Sequence, residues 1–248
     1  MKTAQVKAVM AVLLVLLTAV SAGANTALGT VTLDHTGFGA KGTALITGGG
    51  YDNYNAFAGL LKIDILAADG QDNPLSAGTT IGVFCVDLVQ SVAGGETGYD
   101  VILPECGPKP TDFLGGSMGQ EKAALLAELW GRFYDSSWLT DGSYTAAQNN
   151  AAEAFQLCVW EIICEDFGAT LDISVDGTVG ELGFMAANTD TLLANSMLAA
   201  LDGTGPTAEL VIVSNGCYQD FITEVPEPAT FAILGFGFAV LAGRRRSA

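Results

Sequence analysis

The sequence predicts an α+β fold, with a β-rich, sandwich- or barrel-like body and a helical subdomain. Two observations predict it. Residues 26–103 hold short alternations of β-branched or aromatic residues that glycine interrupts, which is typical of strands. From residue 118 onward, apolar residues recur at helical spacing, and strand-like runs return towards residue 215. Strands, then helices, then strands again favour α+β over alternating βαβ units.

Within the β-rich part, residues 78–92 form a compact apolar run that predicts a central strand, with Cys85 near its middle. Residues 98–105 predict the next strand, which Pro104 ends. Residues 170–177 and 208–215 have the same strand-like pattern and predict strands on either side of the last helix.

Three helices are predicted after the first strands. Residues 118–134 carry apolar residues at helical spacing, with Ser117 as the candidate N-cap. The second helix runs from about Ala146 to Gly168, which suits the C′ position. The third covers residues 188–203, with Asn188 or Thr189 as its cap.

Composition and charge limit the classes of function. Of the 248 residues, 50% are hydrophobic and 15% are charged, so the chain can bury a core and is not disordered. The formal charge of -17 would repel a phosphate backbone, which excludes a nucleic-acid partner. Such acidity fits a soluble exported protein or one bathed in divalent cations.

No internal repeat or linker divides residues 25–224, which we therefore interpret as a single exported domain.

The N-terminal residues have the three parts of a secretory signal. Lys2 and Lys7 precede an apolar run over residues 9–20, and small residues follow with an A-x-A site at residues 22–24. We expect cleavage after Ala24, so residues 1–24 are a signal peptide and take no part in the fold.

The C-terminal residues 225–248 resemble a PEP-CTERM sorting tail. A VPEP motif is followed by a short, glycine-containing apolar segment over residues 229–243 and by a terminal arginine cluster. The resemblance implies transient membrane anchoring, processing by an exosortase of a Gram-negative bacterium, and delivery to the cell surface or extracellular matrix. The sorting residues are Val225, Pro226, Glu227, Pro228, Arg244, Arg245 and Arg246.

The five cysteines are an odd number for an oxidising compartment. The simplest interpretation is two disulfides and one remaining thiol. If Cys85 has another covalent fate, four disulfide candidates remain, and their connectivity stays open. Cys158 and Cys164 point to different sides of the predicted helix and would not pair within it. The candidates are Cys106, Cys158, Cys164 and Cys217.

Gln156 stands in a run, residues 154–162, that otherwise resembles a buried helix. A carboxamide placed there costs a few kcal/mol unless it has a hydrogen-bond partner. A cysteine thiolate can attack such a carboxamide, expel ammonia and leave an internal thioester, provided that the two groups are held together and water is excluded. Cys85, on the predicted central strand, is the candidate nucleophile.

Two motifs resemble those of bacterial Cys-Gln thioester domains. Phe84–Val86 is similar to their aromatic-Cys-hydrophobic motif, and Phe155–Trp160 is similar to their glutamine motif. The chain departs from the family pattern at Phe155, where many members have threonine, and at Cys158, where a small residue is common. The resemblance implies a Cys85–Gln156 thioester on a strand and a helix, shielded by Phe84, Phe155 and Trp160.

What the resemblance implies is covalent adhesion rather than turnover catalysis: a target amine or hydroxyl would attack the acyl carbon of Gln156 and release Cys85. The alternative is a disulfide-stapled structural or carbohydrate-associated matrix protein, with an exopolysaccharide as a partner and no reactive bond. No cofactor is predicted, and no metal site, since the zinc-binding C-x-x-C spacing is missing.

A third alternative, an extracellular hydrolase, needs a catalytic group that the sequence does not clearly provide. His35 is the single histidine that a Cys-His hydrolase would have to use. Glu161, Glu165 and Asp166 resemble glycosidase carboxylates, but we expect them on the solvated side of the helix. Residues 69–73 have oxygen ligands without EF-hand spacing and predict a polar turn.

Overall fold

Seven antiparallel strands form one sheet in the computed structural model, which describes residues 27–107, 117–165, 170–175 and 183–226. The first two strands are long and pair along most of their length. The strands are β1 Gly29–Gly48, β2 Tyr51–Asp69, β3 Thr79–Cys85, β4 Thr97–Ile102, β5 Phe184–Ala187, β6 Leu210–Ser214 and β7 Phe221–Glu224.

The sheet closes on itself. The strand order is β2-β3-β7-β6-β4-β1-β5, and β1 also pairs with β2, so that all strands except β5 form a ring. β1 makes this closure because its first residues pair with β4 and its last residues pair with β5, while its other edge follows β2. The predicted β-rich body is therefore present, and the fold is compatible with the α+β class.

Three α-helices and two short 3₁₀ helices complete the described chain. The second helix has a full capping box, in which Thr145 and Gln148 satisfy each other's backbone N–H groups. The helices are α1 Gln120–Phe133, α2 Ala146–Cys164 and α3 Thr191–Ala199, and the 3₁₀ helices are Pro104–Cys106 and Ser136–Leu139.

The second helix lies between the sheet and the other helices. α2 packs against β1, β2 and β3 on one side and against α1 and α3 on the other. All its residues from Ala154 to Cys164 are buried, because neither side of its second half faces solvent. Since α2 belongs to the same core as the sheet, the predicted helical subdomain is not confirmed as a separate unit.

Several predicted boundaries are wrong for local reasons. The first helix begins after Gly119 rather than Ser117, and Asp190 caps the third helix by accepting a hydrogen bond from the Leu193 N–H (3.1 Å). α2 ends at Cys164, and the predicted stop at Gly168 lies outside the described residues. Cys85 is the last residue of β3, not its middle.

The strand predicted over residues 170–177 is absent from its described part, residues 170–175. Asp172 turns the chain there, because its carboxylate accepts a hydrogen bond from the Ser174 N–H (2.9 Å). The sequence reading also missed β5 and β7, which are only four residues each. Strands this short carry too few alternations to be recognised from a pattern.

Both sorting segments fall mostly outside the described residues. The signal peptide does so entirely, and of the sorting residues only Val225 and Pro226 are described. Within the described chain, no helix combines the length and the apolar character needed to cross a membrane.

Candidate functional site

The carboxamide of Gln156 is paired with the backbone of Cys85. The Cys85 N–H donates to Gln156 Oε1 (2.9 Å), and Gln156 Nε2 donates to the Cys85 carbonyl oxygen (2.9 Å). These residues are 71 positions apart, and the Gln156 side chain is completely buried. The buried glutamine therefore has both partners that its burial requires, and they belong to the cysteine that the sequence singled out.

The way β3 ends explains why the Gln156 side chain can form hydrogen bonds with the backbone of Cys85. β2 follows β3 only as far as the Leu61–Val83 pair, whereas β7 continues to Cys85. The backbone of Cys85 is thus left without a strand neighbour on the β2 side. The Gln156 carboxamide, presented by α2, makes the two hydrogen bonds that a further β2 residue would have made.

On one side of this pair lies a packed group of aromatic rings, which we call the aromatic cluster. Phe84 and Phe155 are its centre, with ring centroids 4.6 Å apart. Both are fully buried and both contact Trp130 and Trp138. Phe155 also contacts Tyr134. Phe84 and Phe155, two of the three residues expected to shield the thioester, therefore belong to this cluster. The remaining members of the aromatic cluster are Trp130, Tyr134 and Trp138.

On the other side of Cys85 lies an open cavity of about 320 Å³, which we call the Cys85 cavity. Cys85 and Trp160 line it, whereas Gln156 does not. Trp160 therefore lies away from the aromatic cluster and packs on Phe184 instead (centroids 6.0 Å apart). The other lining residues include Phe38, Tyr51, Tyr54, Asn55, Phe57, Asp87, Leu88, Gln90 and Gln219.

Electrostatics keep the Cys85 thiol protonated. Burial raises its pKa well above the usual range, and the negative charge of Asp87 raises it further. Because the thiolate is the nucleophile, attack on the carboxamide requires that the proton leaves as the bond forms. Asp87 lines the same cavity and is the carboxylate that could receive it.

The disulfides expected from the cysteine count are not seen. All five cysteines are within the described residues, and each is a free thiol. The Cys158 thiol donates instead to the Ala194 carbonyl of α3 (3.3 Å), and Cys164 is buried at the end of α2. Cys106 lies in a 3₁₀ helix after β4, and Cys217 is exposed in the loop between β6 and β7.

The expected solvation of the α2 carboxylates is wrong. Glu161 accepts a hydrogen bond from the Asp172 N–H (2.6 Å), and Glu165 accepts one from the Phe184 N–H (3.2 Å). Both side chains are buried because they bind the chain segments that follow α2. Lys122 donates to the carbonyls of Ile163 and Glu165 (2.6 Å each) at the same helix end. Asp166 lies outside the described residues.

His35 does not join Cys85. It packs edge-on against Phe38 (centroids 5.2 Å apart), and it is not among the residues that line the Cys85 cavity. The turn predicted at residues 69–73 is present, and Asn73 donates to the carbonyls of Thr30 (3.0 Å) and Asp69 (3.1 Å) there.

The sequence reading missed the aromatic residues of the Cys85 cavity. Tyr51, Tyr54 and Phe57 are spaced by three, which matches neither face of a regular strand. Asn53, with φ of +48°, interrupts the regular alternation of β2. An aromatic spacing that breaks alternation next to three consecutive glycines, Gly48 to Gly50, is the signal from which this surface could have been found.

The comparisons with known proteins match one end of the chain. Residues 224–246 match the family model of the PEP-CTERM protein-sorting motif. This motif implies export, anchoring by the C-terminal segment before processing, and processing by an exosortase. The protein is therefore an exported surface or extracellular protein. No curated protein and no solved structure matches the chain, so the likeness to thioester domains rests on the two short motifs alone.

Proposed function

We propose that this protein is a single-use covalent adhesin of the cell surface or extracellular matrix, with an internal thioester between Cys85 and Gln156. The observation that carries the proposal is the paired carboxamide: Gln156 is buried and held by two hydrogen bonds against the backbone of Cys85. Such fixed contact supplies the proximity that intramolecular acyl transfer needs.

The chemistry has two steps. In the first, the Cys85 sulfur bonds to the side-chain carbonyl carbon of Gln156, the carbon–nitrogen bond breaks, and ammonia leaves with the thiol proton. In the second, an amine or hydroxyl of the target bonds to that carbon, the carbon–sulfur bond breaks, and Cys85 takes the proton of the nucleophile. The aromatic cluster supports the proposal because it keeps water from one side of the acyl group.

A second candidate is a structural matrix protein with no reactive bond. It is favoured by the same two hydrogen bonds, because they fully satisfy Gln156 as an unmodified side chain. On this interpretation Gln156 joins α2 to β3 and has no chemical role, and the Cys85 thiol stays free.

The intact mass of the protein, purified after export, separates the two candidates. The thioester predicts a mass short by one ammonia and, after methylamine treatment, a gain of one methylamine on the peptide that carries Gln156. Cys85→Ala should show neither change. Cys158→Ala is the matched control, since it removes another buried thiol and should leave both signals intact. A full mass that methylamine does not alter would overturn the adhesin proposal.

Gln156→Ala should abolish the methylamine adduct and also lower the free energy of unfolding. It leaves a buried N–H and a buried carbonyl of Cys85 without partners, at a cost of about 3–5 kcal/mol. Gln156→Glu keeps the shape and an acceptor oxygen but has no ammonia to lose. Urea unfolding and mass measurements on both variants therefore separate the chemical role from the structural one, and an adduct in either variant would contradict the assignment.

A further inference from the structure

The mouth of the Cys85 cavity exposes an unusual amount of aromatic surface. Phe57 is 62% exposed, Tyr54 is 50% exposed and Phe38 is 41% exposed, and all three line the cavity. Large aromatic rings are normally buried, and exposed rings grouped around one opening mark a binding surface. These three rings are not part of the hydrophobic core. Because core packing does not explain their grouping, we interpret it as a binding surface.

The turn between β1 and β2 places this surface beside Cys85. A Cβ atom on Gly49 would lie 2.5 Å from Leu88 Cδ1, so the turn packs closely on the segment that follows β3. Gly49 also has φ of +56°, which a glycine adopts without strain. Directly after the turn, Tyr51 stacks on Tyr54 (centroids 4.4 Å apart) and the pair borders the cavity.

Polar groups that line the cavity complement the rings. Asn55, Gln90 and Gln219 bring side-chain amides, and Asp87 brings a carboxylate. Gln219 is held in place by donating to the carbonyl of Asp87. Amides that donate and accept, next to rings that offer flat apolar faces, suit a ligand with both hydroxyl groups and C–H faces.

Charge disfavours an anionic ligand, and a cation already occupies two of the aromatic rings at the mouth of the cavity. Asp87 lies in the cavity, and the whole chain carries -17, so an anionic polymer would be repelled. A cation meets Lys41, whose ammonium nitrogen lies 3.7 Å from the centroid of the Phe38 ring and 4.1 Å from that of Phe57. Because these ring faces already hold a cation, a second one would be repelled there.

We propose that the Cys85 cavity binds a neutral hexose-based polysaccharide. The exposed ring of Tyr54 and the side of the Phe57 ring that Lys41 does not cover pack on the C–H faces of sugar units. The amides and Asp87 bind the hydroxyl groups of these units. The following step rests on the proposed thioester. In that thioester the acyl carbon of Gln156 is bonded to the sulfur of Cys85, and Cys85 lines the cavity although Gln156 does not. A bound hydroxyl oxygen bonds to this carbon, the carbon–sulfur bond breaks, and the hydroxyl proton passes to Cys85, which leaves an ester-linked sugar.

The test is binding of neutral hexose oligosaccharides, cellohexaose and maltohexaose, to the exported protein by isothermal titration calorimetry. At least one should bind, and Tyr54→Ala with Phe57→Ala should weaken the binding by about tenfold or more. Leu192→Ala is the matched control, because Leu192 is 82% exposed on α3 and away from the cavity lining. It should bind as the wild type does, and circular dichroism should show that every variant is folded.

The proposal would be overturned if neither oligosaccharide binds, or if the aromatic variant binds as tightly as the wild type. It would also be overturned if polygalacturonate or oligolysine bound in place of the neutral sugars. The intact mass of the same preparation, read for the loss of ammonia, keeps this result separate from the thioester. Sugar binding without the ammonia loss overturns the thioester alone, and the ammonia loss without sugar binding overturns the saccharide site alone.

Discussion

The two sides of Cys85 are built from the same kinds of residue and differ in nearly every physical property. On the side of the aromatic cluster, Phe84 and Phe155 are fully buried and packed against further rings. On the side of the Cys85 cavity, Tyr54 and Phe57 are exposed by half or more around an open space. One side is sealed by packed rings, and the other is an open cavity.

The difference shows that aromatic content alone does not decide what a surface does. Rings that pack against other rings contribute to folding stability through buried area, whereas rings around an open cavity contribute to binding. Cys85 lies at the boundary, and this sets it apart from the other buried thiols. Burial raises the pKa of Cys158 and Cys164 as it does that of Cys85, but neither of them lines the cavity.

Truncating one ring on each side tests the comparison most strongly. Phe155→Ala should lower the free energy of unfolding by about 3–5 kcal/mol, because it opens a void in the aromatic cluster. Phe57→Ala removes a largely exposed ring of the same chemistry and should change it by no more than about 0.5 kcal/mol. Urea unfolding of both variants measures the difference, and similar costs for the two would contradict the division into a sealed and an open side.

The pH dependence of stability at Asp220 tests a contact next to Cys85. Its carboxylate accepts a hydrogen bond from the Asn215 N–H (2.6 Å), and its carbonyl accepts one from the Val86 N–H next to Cys85 (3.1 Å). Burial raises the pKa of Asp220 to about 6, and the nearby charge of Asp87 adds to the rise, although the bond from Asn215 opposes it. A raised acid pKa means that the folded state favours the protonated form.

The protonated form stabilises the fold below the ordinary aspartate pKa, and this contribution disappears as the pH rises through about 6. Asp220→Asn keeps an acceptor oxygen and cannot ionise. Relative to the wild type, its free energy of unfolding should therefore increase by about 2–3 kcal/mol between pH 4 and pH 7. Denaturant unfolding across this range measures the change, and a constant difference would show that Asp220 ionises normally.

The smallest effects are expected at the exposed thiol. Cys217→Ser should change the free energy of unfolding by less than about 0.5 kcal/mol. In native protein at pH 8, iodoacetamide should modify Cys217 rapidly and Cys158 and Cys164 only after unfolding, since burial keeps these two thiols protonated. Peptide mapping also reports on Cys85. If Cys85 is alkylated after unfolding, its thiol is free and the structural role is supported. If Cys85 stays unmodified under denaturing conditions, the thioester is supported.

Much of the molecule can be predicted from local sequence. The strand-rich character of residues 26–103, the start of α2 near Ala146 and the position of Gln156 beside Cys85 follow from patterns and from two short motifs. Their physical basis is local or nearly so: strand alternation, a capping box, and the cost of burying a carboxamide with no partner. The sorting motif at the C-terminal end needs no fold to be recognised.

Only the tertiary structure determines what surrounds Gln156 and Cys85. The closure of β1 on β2, the burial of Glu161 and Glu165, and the grouping of Tyr54 and Phe57 around Cys85 each join residues that are distant in the chain. Such contacts depend on how elements pack, and on backbone irregularities such as Asn53, so no single periodicity records them. The sequence by itself indicated that the Gln156 carboxamide lies beside Cys85, where it pairs with the backbone. The packed fold decided that one side of Cys85 is sealed and the other open.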